Sequence, residues 1–162
     1  MLHKGFKVTM KRVVTKIGDV FEVKIGENAK KYFQLIAFDM SQLNSDVIRA
    51  FKRPYSIDET PRPSEIVDDA VDFYAHCAAS IGVKLGYWEK VGKFNEVGSL
   101  DDILFRDTND AGGKIGHLVE VSQNWYVWKI NEEFRHVGKL EGENQKAEIG
   151  VVVSSKDIVH RM

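Results

Sequence analysis

At 162 residues, with 43% apolar and 29% charged side chains and only three prolines, the chain has the make-up of one folded domain, which excludes a disordered or fibrous protein. Its single cysteine, Cys77, excludes an internal disulfide framework and a cysteine-cluster metal site, and fits a reducing compartment. A net charge of −1 argues against a dedicated nucleic-acid binder, whose balance is basic.

The N-terminal dozen residues are basic without the apolar run of a signal peptide, and no run in the chain approaches membrane-spanning length, so a cytoplasmic protein is expected. Residues 6–14 are read as a first strand. After the Gly18-Asp19 turn, Phe21, Val23 and Ile25 alternate with charged residues as in a half-buried strand. The aromatic-rich run 31–38 completes a hairpin with it. Residues 46–53 are too short for periodicity to separate strand from helix, and strand is favoured. Beyond Pro61 and Pro63, residues Ile66, Ala70, Phe73, Cys77 and Ile81 recur at spacings of 4, 3, 4 and 4, which predicts an amphipathic helix ending at Gly82. Four β-prone runs follow, at 86–92, 115–121, 125–130 and 149–153. The expected architecture is a single α+β domain over 1–162, β-rich, with a strongly bent antiparallel sheet or small barrel packed with one main α-helix.

Candidate chemistry is sparse. On the predicted helix, Asp69, Asp72 and His76 would share a stripe able to touch a metal, but a charged solvent face explains them as well, and no metal site is expected. Cys77 beside His76 suggests a nucleophile only superficially, since helix neighbours point about 100° apart. His3, His76, His117, His136 and His160 are scattered, and Ser80, Ser154 and Ser155 have no supporting motif, so no catalytic residue is assigned. Residues 111–116 carry glycines without the full phosphate-loop arrangement and read as a hairpin tip. The acidic stretch 101–110 lacks the glycine and terminal glutamate of a calcium loop and reads as a solvated connection. In the run 125–128, Trp125 and Val127 share one face, and Tyr126 and Trp128 the other. One of these faces is free to form an aromatic recognition patch.

The turn and strand Gly18, Asp19, Val20, Phe21, Glu22 and Val23, the aromatic strand after it, and the segment Gly86, Tyr87, Trp88, Glu89, Lys90, Val91 and Gly92 resemble the immunity proteins of bacterial polymorphic-toxin systems, family twenty-six. The resemblance spans roughly residues 15–95, without the proline-rich stretch expected after the second motif. It implies a non-enzymatic protein that binds and neutralises a cognate toxin, with no cofactor. It carries over no binding residue.

The interface expectation comes instead from charge. Residues 1–55 hold 11 basic and 5 acidic side chains, whereas residues 56–110 hold 5 and 12, which suits a basic protein partner. Asp101, Asp102, Asp107 and Asp110 are read as an electrostatic rim, with Tyr126 or Trp128 as an anchor. No nucleic acid or membrane is expected as a partner. The competing expectation is a small-molecule enzyme or hydrolase inside the bent sheet, using His117 or His136 as base.

Overall fold

The protein is described from a computed structural model covering residues 11–110 and 118–162. His3, His117 and the hairpin tip at 111–116 lie outside these residues. So do parts of the strands expected at 6–14 and 115–121, whose described residues join no sheet.

In chain order the elements are β1 (Asp19–Ile25), β2 (Ala29–Asp39), β3 (Ser45–Phe51), β4 (Tyr55–Ser56), α1 (Pro63–Val67), β5 (Val71–Cys77), α2 (Ala79–Leu85), β6 (Glu89–Lys93), β7 (Leu104–Thr108), β8 (Trp125–Lys129), β9 (Arg135–Gly138), a 3-10 turn at Gly142–Lys146, β10 (Glu148–Ile149) and α3 (Ser155–Arg161). The expected β-rich α+β class holds, but the main sheet is open and forms no barrel. It runs β5-β3-β2-β1-β6, antiparallel throughout, with β4 added beside β2. Register shifts at Val20/Phe21, Leu35/Ala37 and Ala50/Phe51 interrupt three of its pairings, the kind of irregularity that bends a sheet. A second sheet, β10-β7-β8-β9, sets β10 parallel to β7 and the rest antiparallel.

Cross-strand pairs fix which residues share a face. Phe21 opposes Phe33, Leu35 opposes Ile48, and Ile48 opposes Ala75. With Val23, Phe73 and Cys77 they make one apolar face, covered by Ala79 of α2, Ile158 of α3 and Trp88. Phe33 holds the Trp88 ring edge-on at 5.0 Å, and the Trp88 indole donates to the Ala79 carbonyl at 2.9 Å. The opposite face carries two clusters. Val20, Tyr32 and Phe51 meet Ile66 of α1, while Ile36 and Val47 meet Phe105 and Trp128 of the second sheet.

The single helix expected over 66–81 is instead a helix, a strand and a helix. Spacings of four satisfy both the 3.6-residue period and the two-residue period, so Phe73 and Cys77 fit either. In the fold they point inward with Ala75 along β5, while Tyr74 and His76 take the other face. Gly82 does not end a helix. It lies within α2, where a Cβ would overlap the Trp88 ring, and the helix stops at Gly86, with a φ of +78°. Three elements with little signal in the sequence, β7, β9 and α3, complete the structure. Ser154 caps α3 by accepting from the Asp157 amide at 3.2 Å, a structural use for a serine considered as a nucleophile.

No helix of the described residues is long and apolar enough to cross a membrane.

Candidate functional site

The deepest polar groups fasten the two sheets together. Asp39 ends β2 and His76 lies on β5, both wholly buried, with His76 Nε2 at 2.8 Å from Asp39 Oδ2. The Trp128 indole donates to the same oxygen at 3.2 Å, and the Asn131 amide and Ser41 donate to Oδ1. An ionised carboxylate only accepts, so Nε2 carries the proton and Nδ1, which has no partner among the described residues, is a bare lone pair. Burial lowers the His76 pKa more than Asp39 raises it, which keeps the ring neutral. The Phe105 ring seals the imidazole edge at 4.1 Å.

This arrangement undoes the expected metal stripe. Asp72 pairs with Lys31 at 3.5 Å, Asp69 accepts from the Arg53 amide at 2.6 Å, and His76 points into the core. Cys77 points to the opposite face of β5 from His76. Its thiol is buried, and burial pushes its pKa up, the reverse of an activated nucleophile.

The six residues nominated for partner binding do not form one patch. Asp101 and Asp102 are exposed in the turn before β7, whereas Asp107 and Asp110 lie at its far end. At about 3.3 Å per residue, the five residues of β7 hold the two pairs roughly 16 Å apart, so the four aspartates form no continuous rim. Trp128 is 3% exposed and bound to Asp39, which leaves it no surface to offer a partner. Tyr126 is different.

Asp107 and Tyr126 are cross-strand partners on β7 and β8. The Tyr126 ring is only partly buried, and it packs against Phe134 at 5.0 Å and His136 at 5.9 Å. Phe134 is 48% exposed, His136 is exposed, and the two rings meet edge-on at 5.4 Å. Burial and then the Asp107 carboxylate push the Tyr126 phenol pKa up. The result is an acidic and aromatic surface at the β9 edge of the second sheet, where β9 pairs only with β8 among the described residues.

Phe134 and His136 were not singled out in the sequence for this role. Alternation along 125–128 correctly separates Tyr126 from Trp125, but burial does not follow the faces: Trp125 and Val127 are buried on one and Trp128 on the other, and Trp125 lies under the Arg106 guanidinium at 5.3 Å. His136, a candidate base for an enzyme, belongs to the aromatic surface. Among the described residues no carboxylate lies within 4.0 Å of its ring, and Asp110 is engaged by Ser122 and Asn124.

No family model, curated protein or solved structure matches the chain.

Proposed function

We propose that the chain is a cytoplasmic immunity protein that neutralises a cognate bacterial toxin by binding it, with no catalytic step of its own. The observation that carries this reading is the exposed Phe134 ring on Tyr126, with Asp107 beside it. Large aromatic side chains at a surface bury much area at low entropic cost, and a neighbouring carboxylate speeds encounter with a basic partner. The resemblance of the Gly18 turn and the Trp88 segment to toxin-system immunity proteins supports the same reading, and both segments serve the fold: the Gly18 carbonyl receives the Phe94 amide, and Trp88 packs under α2.

The test is purification of the tagged chain from its native cells at low and moderate salt, followed by expression of any stoichiometric partner alone and with the chain. The reading predicts a partner that arrests growth alone and is silenced by the wild-type chain. A partner whose toxicity is unaffected by the chain would overturn it.

A further inference from the structure

Arg49 is a buried cation in contact with no carboxylate among the described residues. It stands on β3 at 9% exposure, and among the described residues no carboxylate lies within 4.0 Å of its guanidinium. Its bonds are to neutral acceptors. Nε donates to Gln34 Oε1 at 2.9 Å and Nη2 donates to the Glu96 carbonyl at 3.2 Å. A guanidinium has five N–H groups, so among the described residues three remain without an acceptor, including both on Nη1.

Nη1 lies against Gly98, where a Cβ would stand 2.6 Å from it. Gly98 also has a φ of +78°, so the position suits glycine twice over. Arg49, Gly98 and Ser99 line a pocket of about 420 Å³ together with Tyr74, Asp102 and Glu148. The other charges there are mostly engaged. Glu148 accepts from the Tyr74 amide at 3.2 Å and faces Arg161 at 3.6 Å, while Lys146 pairs with Glu143 at 3.0 Å.

A neutral side chain could tie Gln34 to the Glu96 carbonyl without the desolvation cost of an unpaired charge. The fork of free N–H groups is the geometry that binds a planar anion in two-pronged fashion. Asp102 and Glu148 set its charge, because each repels a dianion about twice as strongly as a monoanion. The geometry points to the Arg49 pocket as a binding site for a carboxylate, either a free small acid or an acidic side chain of a partner. This inference does not depend on the toxin-binding surface at β9.

The experiment is titration of the isotope-labelled protein, by nuclear magnetic resonance, with acetate, propionate, a blocked glutamate peptide and inorganic phosphate at constant ionic strength. Saturable shifts confined to the Arg49 Nε, Gly98 and Ser99 resonances are expected with the carboxylates, and binding at least about tenfold weaker in Arg49→Met. Asp102→Asn tightens binding. Saturation by the small acids alone assigns a free ligand, and saturation by the peptide assigns a side chain; either supports the site. Should Arg49→Met fail to fold, the location of the wild-type shifts decides. Shifts absent or scattered over the surface, or phosphate binding as tightly as acetate, would overturn the proposal.

Discussion

Asp39 and His76 face each other at 2.8 Å between the two sheets, and neither side chain reaches solvent. Burial raises the Asp39 carboxyl pKa, but hydrogen bonds from His76, Asn131, Trp128 and Ser41 outweigh it, and the net shift is downward. The His76 pKa is also depressed. Between that depressed value and about 6.5, the unfolded chain binds a proton at His76 that the folded chain refuses, so stability falls as pH drops through that window. Asp39 adds a further loss below about pH 3.9. Thermal melts from pH 8 to 5 should show a falling midpoint below about pH 6.5, flattened in His76→Gln. Parallel curves for the two proteins would refute this.

At an exposed helix position, Gly→Ala stabilises by up to about 1 kcal/mol. Gly82 reverses the sign, because the added methyl meets the Trp88 ring, which is itself fixed by Phe33 and the Ala79 carbonyl. Overpacking of this kind costs about 1–3 kcal/mol. Gly82→Ala is expected to lower stability by roughly 1–2 kcal/mol in urea unfolding after the helix gain is deducted.

Clean alternation made the first hairpin legible: Phe21, Val23 and Ile25 read as a strand, and the hairpin with β2 is present. Alternation failed at β5, whose inner half is buried on both faces, so that polarity there carries no period. The acidic residues around β7 hid a strand whose inward side chains are few, chiefly Phe105. Of the proposed surface, Tyr126 is reached in the sequence from its face and Asp107 from its charge. That they are cross-strand partners depends on the pairing of β7 with β8, and that Phe134 joins them depends on the β8–β9 turn, to which no motif in the sequence drew attention.

Cys77 lies on the covered face of the main sheet with its thiol pKa raised. A thiol-specific reagent should therefore react with the folded protein far more slowly than with the protein in denaturant, by a factor of at least about a thousand if access requires global unfolding. Rapid modification under native conditions would contradict this placement.

Under the proposed function, the separation of the aspartates along β7 predicts different effects on partner binding. Asp107→Asn, beside Tyr126, is expected to slow association with the partner and reduce its salt dependence, whereas Asp101→Asn with Asp102→Asn leaves both unchanged. Association rates at two salt concentrations check this.

The most direct measurement is the dissociation constant of the co-purified partner for wild-type chain and for Phe134→Ala, a substitution at a half-exposed site outside the three core clusters. Truncating a central aromatic anchor costs about 2 kcal/mol or more, so binding should weaken by at least roughly thirtyfold, with loss of toxin neutralisation in cells. Unchanged affinity and full protection by Phe134→Ala would contradict the assignment of the Asp107–Tyr126–Phe134 surface as the interface.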